Sequence, residues 1–306
     1  MKDKSLKTIL DRDLLRVQVK TDFQQQIDLM EEVVDYGTNL IPRAFSSSDK
    51  KIKDIVIIPV LLKQVVAMLD AIQILVSEGA ILAAHVPARS LFEAFLYVNW
   101  ILDKNTEKRA KQYYVWDLRR KQQWNNRVIT GTAENKKFLK TISKRYPNLK
   151  QTFTSLEKKA KSQNSEIDNL LKSKKFRSIN QAFNKLETMK TSVQWFNPNG
   201  PSSISDLASR LNRKAEYDIL YNSYSKITHS NVLSEQVSFK KQTVTFEPIR
   251  DLKRINSLLI TTLSLTFDVY SKILSEYRKE EKKQFSTKYV QEWRKRFRNI
   301  KKVSYN

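Results

Sequence analysis

Residues 81–103 read ILAAHVPARSLFEAFLYVNWILD, and this stretch decides the fold. Apolar residues recur three and four positions apart through all of it, with no glycine to interrupt them, so it is a long helix with Pro87 as its one kink point. Three polar residues break the apolar surface at successive four-residue steps: His85, Arg89 and Glu93. Each is surrounded by apolar neighbours. A charge on such a helix needs a partner, and an arginine four residues before a glutamate supplies one directly.

Working outward, the preceding stretch IVIIPVLLKQVVAMLDAIQILV, residues 55–76, is the longest apolar run in the chain. Lys63, Gln64, Asp70 and Gln73 interrupt it, which marks a buried core helix and not a membrane span. Pro59 stands near its start, where a missing N–H costs little, and Gly79 marks the break after it. Residues 5–36 have amphipathic helical spacing and are expected to end near Gly37. The N-terminal MKDKSLKTILDRDLL alternates charged and apolar residues and lacks the apolar block of a signal peptide, so cytoplasmic residence is the expectation.

Downstream, residues 106–129 mix Tyr113, Tyr114, Trp116 and Trp124 with Arg109, Lys111, Arg119, Arg120, Lys121 and Arg127. Aromatic rings among cations can stack on bases; an amphipathic helix with an aromatic inner stripe and a solvated basic face has the same composition. Residues 133–192 are poorer in apolar side chains and dense in lysine, as an inserted helical lobe would be. The turn NPNGP and Ser202 or Ser203 as N-cap then precede a short helix, and a further helix runs over about 214–230. VSFKKQTVTFEP, residues 237–248, alternates apolar and polar residues as a small hairpin does. A nearly all-apolar helix follows from 249 to about 277, and residues 278–302 form a basic tail with Trp293 and Phe297 interleaved.

The expected fold is therefore mainly α: a bundle of long helices with a helical insertion and one small β-hairpin. Its expected segments are 1–50, 51–132, 133–200, 201–277 and 278–306. With only 4 Gly and 7 Pro in 306 residues, a turn-rich β architecture is excluded. Hydrophobic residues at 40% against 29% charged give a globular balance.

The chain carries 56 Lys and Arg against 32 Asp and Glu, a net charge of +24. That excess points to a polyanionic partner, whether RNA, DNA, an acidic protein or an anionic membrane surface, although a generally lysine-rich proteome would produce the same number. Having no cysteine excludes disulfides, thiol nucleophiles and thiolate metal sites, and two histidines make zinc ligation improbable on composition alone. No metal and no cofactor are expected.

One of those two histidines closes YDILYNSYSKITHSN, residues 217–231. At about 100° per residue, Asp218, Tyr221, Asn222, Ser225 and His229 share one polar stripe. Packed antiparallel to the helix of Arg89 and Glu93, this stripe would bring Tyr221, Ser225 and His229 against that pair. Such a cluster serves either as an acid–base site or as a satisfied polar network that fixes helix register.

At these residues the sequence resembles a bacterial all-helical family known only as a domain of unknown function. The resemblance rests on Arg-x3-Glu in ARSLFEAF (Arg89, Glu93), Tyr-x3-Ser-x3-His in YNSYSKITH (Tyr221, Ser225, His229), and NPNGPSSISDLASRL between them. It covers about residues 55 to 275, with the lysine-rich segment matching least. The histidine helix is also similar to that of HEPN nucleases, helical bundles of toxin, abortive-infection and CRISPR-linked defence systems. That resemblance implies metal-independent RNA cleavage across a dimer interface, with imidazole for proton transfer and guanidinium for phosphorane charge. This sequence has Asn222 where an x6-spaced motif places arginine, so Arg89 or Lys226 would have to supply the charge.

The catalytic candidates are accordingly His229, Arg89, Glu93, Ser225, Tyr221 and Asn222. The candidate nucleic-acid contacts are Lys226, Arg119, Arg120, Lys121, Arg294, Lys295, Arg296 and Arg298. The expected role is an RNA-directed effector of a bacterial antiphage or toxin-type system, acting as a homo-oligomer with a partner protein of the same system. The alternatives are a non-catalytic nucleic-acid-binding or adaptor protein, and a scaffold that uses its basic tail.

Overall fold

The computed structural model describes residues 10, 12–46, 48, 51–142, 145–146, 149–189, 192–228, 237–240, 243–246 and 248–300. The chain divides into two compact units: unit 1 comprises residues 1–104 and 204–306, and unit 2 comprises residues 105–203.

Unit 1 is built on four long helices, α1 (Arg12–Phe45), α2 (Ile58–Ser77), α3 (Ile81–Asp103) and, later in the chain, a helix over Ile255–Tyr277. The stretch that set the expectation, 81–103, is the most deeply buried of them: Leu91, Phe92, Phe95, Leu96, Val98 and Ile101 are fully enclosed. It continues through Pro87 without ending. α2 and α3 are joined by three residues, with Gly79 at φ 68° making the reversal, so they pack as an antiparallel hairpin. By length and composition alone, α2, α3 and the 255–277 helix are apolar enough to cross a membrane; here they pack on one another and on α1.

Gly37 does not end α1, which runs eight residues further. Its role is close approach. A Cβ built there would lie 1.9 Å from the Tyr270 hydroxyl oxygen and 2.7 Å from Val66 Cγ2. The fully buried Tyr270 hydroxyl donates to the Val33 carbonyl at 2.9 Å, so the missing side chain lets the 255–277 helix lie flush against α1.

Unit 2 contains α4 (Thr106–Asn126), α5 (Ala133–Ile142), α6 (Leu149–Lys172) and α7 (Arg177–Met189). This compact unit holds the lysine-rich 133–189 stretch together with α4, from Asn105 onward. The boundary is marked in the backbone: Lys104 is extended and Asn105 takes a left-handed conformation (φ 50°), which asparagine tolerates better than most residues. α4 packs on α6 and α7 around Val115, Leu118, Ile167, Leu171 and Phe183. Farther along, the same helices are joined by side-chain amides: Gln122 Nε2 donates to Asp168 Oδ1 at 2.7 Å, and Asn125 Nδ2 to Asn164 Oδ1 at 2.9 Å.

The chain returns to unit 1 through α8 (Ile204–Arg210) and α9 (Lys214–Glu216), then a π turn over Tyr217–Tyr221 that runs into α10 (Asn222–Thr228). An antiparallel hairpin follows, β1 (Val237–Lys240) with β2 (Thr243–Phe246), pairing Val237 with Phe246. The fourth bundle helix is α11 (Ile255–Tyr277), and the tail forms α12 (Lys282–Lys288), a π turn at Tyr289–Trp293 and α13 (Arg294–Arg298). The tail packs on the body. Trp293 is fully buried, stacked on Phe267 at 5.5 Å and edge-on to Tyr36 at 5.5 Å.

Gly37→Ala is expected to lower stability by about 1–3 kcal/mol through overpacking against Tyr270. Tyr270→Phe in the same chain should recover part of the loss by removing the oxygen nearest the new methyl. Urea unfolding of the two single variants and the double variant measures the coupling.

Candidate functional site

Arg89 and Glu93 lie one turn apart on α3 and face the π turn that precedes α10. Arg89 Nη2 donates to the Tyr221 hydroxyl at 2.8 Å, and that hydroxyl donates to Glu93 Oε1 at 2.9 Å. Arg89 Nε lies 3.4 Å from the same carboxylate oxygen, and the guanidinium carbon sits 4.7 Å from the centre of the Tyr221 ring. The phenol thus closes a three-membered clasp, accepting from the cation and donating to the anion. Tyr221 is buried, while the side chains of Arg89 and Glu93 keep 19% and 30% exposure.

The π turn sets the geometry. Tyr217 and Tyr221 stack with their rings 5.0 Å apart and 20° from parallel, and Phe92 of α3 lies 6.0 Å from Tyr221. Tyr221 and Asn222 stand about 100° apart, at opposite edges of the expected stripe, and the stripe divides between them. Tyr221 and Tyr224 face inward, whereas Asp218 and Asn222 are exposed. Asn222 Nδ2 reaches Asp218 Oδ1 at 3.5 Å, and Asp218 is paired with Lys214. Asn222 is therefore not brought to the Arg89–Glu93 pair. Ser225 is half-buried on α10, Lys226 is exposed, and His229 lies outside the described residues.

His85 is buried one turn before Arg89 on α3. Its Nδ1 lies 2.8 Å from the Ile81 carbonyl, which can only accept, so Nδ1 carries a proton; its ring meets that of Tyr224 edge-on at 4.8 Å. Neither Tyr224 nor Arg213 belongs to a motif legible in the sequence. Arg213 ties α9 to α11 by donating to Glu216 and Asp268, each at 2.7 Å, with its guanidinium 5.3 Å from the Phe95 ring. Arginine just ahead of a helix that begins KAE, so close to an acidic residue, was the available signal.

Two proposed nucleic-acid contacts are engaged within the protein. Arg119 donates to the side-chain oxygens of Asn180, Asn184 and Glu187, joining α4 to α7. Arg296 holds Glu32 of α1 in a two-pronged pair at 2.8 and 2.7 Å, and Trp293 Nε1 donates to the same carboxylate at 3.0 Å. Those hydrogen bonds from Arg296 hold the Glu32 carboxyl below its usual range. Both arginines are structural clamps. Arg120, Lys121, Lys295 and Arg298 are exposed, and Arg294 is half-buried.

Charge is unevenly distributed. Residues 105–203 hold 22 Lys and Arg against 7 Asp and Glu, a net of +15 on a third of the chain. On α4, Arg120, Lys121, Trp124 and Arg127 form one exposed stripe. Trp124 is 63% exposed, with the Arg127 guanidinium 4.5 Å from its ring centre, and Arg120 lies 5.0 Å from the Trp116 ring. Among the described residues no cluster of three or more His, Asp or Glu is placed to hold a metal ion.

Burial, helped by the negative charge of Glu93 and opposed by the hydrogen bond from Arg89, pushes the Tyr221 phenol up to about 12. Burial also pushes Tyr224 up to about 12 against a hydrogen bond with Thr261, and it raises Tyr270. From pH 10 towards 12 the unfolded chain loses these protons while the folded chain keeps them, so stability must fall as pH rises. Urea titrations at pH 8, 10 and 11 should show that decline, shallower in Tyr224→Phe. Tyr221→Phe should cost about 1–3 kcal/mol at pH 8, because it breaks two hydrogen bonds to charged groups.

A protein-family model matches residues 54–243. It spans the Arg89–Glu93 pair, all of unit 2 and Tyr221, and it leaves out α1, α11 and the tail. No curated protein and no solved structure matches the chain. By the extent of the family match, the chain belongs to DUF5677, a family of unknown function.

Proposed function

We propose that this protein is an RNA-directed effector of a bacterial defence or toxin-type system, and that it holds single-stranded nucleic acid on the α4 face of unit 2. The observation that carries this reading is Trp124, an indole 63% exposed on a face shared with Arg120, Lys121 and Arg127. A large exposed ring costs solvation, and among cations it offers what a single strand needs: a stacking platform beside phosphate contacts. The +15 balance of the surrounding unit supplies the long-range attraction. Cytoplasmic residence goes with this reading, with α2, α3 and α11 serving as the bundle core.

In this reading the Arg89–Tyr221–Glu93 clasp positions helices. The guanidinium already faces a carboxylate and a phenol, so its charge is compensated. A second reading, HEPN-like metal-independent cleavage with His229, draws support from the partial exposure of Arg89 and Glu93 beside the segment that leads to that histidine. It requires the clasp to open so that Arg89 can meet a phosphate.

Fluorescence anisotropy with labelled single-stranded RNA across a salt series tests the binding face. Trp124→Ala should weaken binding about tenfold, within the range for one lost base stack. Arg120→Ala with Lys121→Ala should lower the slope of log affinity against log salt by about 1.4, as expected for two phosphate contacts on a single strand. Affinity and slope unchanged in both variants would overturn the assignment. Incubation of the wild type and His229→Ala with labelled RNA in EDTA tests the second reading: cleavage by the wild type alone would establish it, and no cleavage by either would end it.

A further inference from the structure

Beside the α4 stripe, unit 2 contains a polar cavity of about 290 Å³ between α4, α6 and α7, lined by Arg119, Gln122, Asp168, Lys172, Asn180 and Asn184. It adjoins a second cavity of about 340 Å³ that shares Leu171, Lys172 and Asn180 and adds Arg177. The shared wall sets them side by side along one trough. Gln123 lines its near end and is the sequence neighbour of Trp124. We propose that this trough is a subsite for a guanine base carrying a 5′-phosphate; as a subsite for RNA it rests on the binding reading above.

The internal hydrogen bonds fix what the walls can offer. Arg119 donates to the Oδ1 atoms of Asn180 and Asn184, which leaves the amide nitrogens of both as donors for a ligand. Gln122 Nε2 donates to Asp168 Oδ1, which leaves Gln122 Oε1 and the second carboxylate oxygen as acceptors, and Oδ1 itself retains a lone pair. The trough therefore presents a carboxylate beside amide and ammonium donors.

Guanine complements that arrangement better than any other base. Its Watson–Crick edge places two donors, N1–H and the N2 amine, next to the O6 acceptor. A carboxylate accepts both donors side by side, as it accepts an arginine fork. Adenine and cytosine each offer one donor beside an acceptor, and uracil offers one donor between two acceptors, so each would leave an Asp168 oxygen facing an acceptor. Lys172 or an asparagine amide can meet O6, and exposed Arg177 is placed for the phosphate. The cavity volume, at the small end for ligand sites, suits a single base.

Isothermal titration calorimetry of the full chain with GMP, AMP, CMP and UMP tests the inference. GMP should bind about tenfold more tightly than the others, and Asp168→Asn should abolish the difference while the melting temperature stays close to that of the wild type. Arg177→Ala, at an exposed position, is the second variant and should weaken GMP binding while sparing guanosine. Equal affinity for the four nucleotides, or a GMP preference that survives in Asp168→Asn, overturns the inference. Two arms separate the occupants and the readings. A uridine oligomer with one guanosine should bind more tightly than uridine alone if the occupant is RNA, and a preference confined to GMP identifies a free nucleotide. In Trp124→Ala, RNA binding should fall while GMP binding persists, so failure of the stacking face and failure of the trough give different results.

Discussion

An arginine and a glutamate one turn apart on the most enclosed helix of unit 1 set the conditions for whatever packs beside them. α3 could not bury Phe92 and Phe95 while leaving Arg89 and Glu93 with neither water nor partners. The solution is a tyrosine that accepts from one and donates to the other. That bond pattern requires Tyr221 to be protonated and to approach at one register. It therefore fixes the Tyr217–Thr228 segment on α3, and a π turn accommodates the fit. Tyr224, the next inward-facing residue of that segment, packs edge-on against His85.

The bundle and the basic lobe solve different problems. Unit 1 is held by apolar helices and a few long-range clamps, among them Glu32 gripped by Arg296 and Trp293, and Tyr270 seated against Gly37. Unit 2 has a small apolar core, an amide seam and most of the net charge. Self-repulsion at +15 costs stability, a cost that the proposed anionic partner would relieve. In the proposed reading the lobe meets nucleic acid and the clasp serves the architecture.

The helical class and the order of the elements were legible because apolar spacing over 55–76, 81–103 and 255–277 follows the α period without interruption. The Arg89–Glu93–Tyr221 meeting was also legible, since two charges on an apolar helix demand a polar partner of matching pattern. Other features were hidden for physical reasons. Gly37 reads locally as a stop, but its neighbour Tyr270 is more than two hundred residues away. α4 is equally amphipathic whichever unit it joins, so the start of unit 2 at Asn105 left no periodic trace. Asn222 directly follows Tyr221, about 100° round the helix at the other edge of the expected stripe, so one can meet α3 while the other faces water. Arg119 and Arg296 look like their exposed neighbours until Glu187 and Glu32 are brought to them by the fold.

The central claim, that nucleic acid meets the lobe while the clasp is architectural, is tested most directly by hydrogen exchange of the full chain with and without single-stranded RNA. The account predicts new protection over peptides covering Arg120–Arg127 and Asp168–Asn184, with none over 85–93 and 217–228. Protection confined to 85–93 and 217–228 would contradict it and place the working site at Arg89, Glu93 and Tyr221.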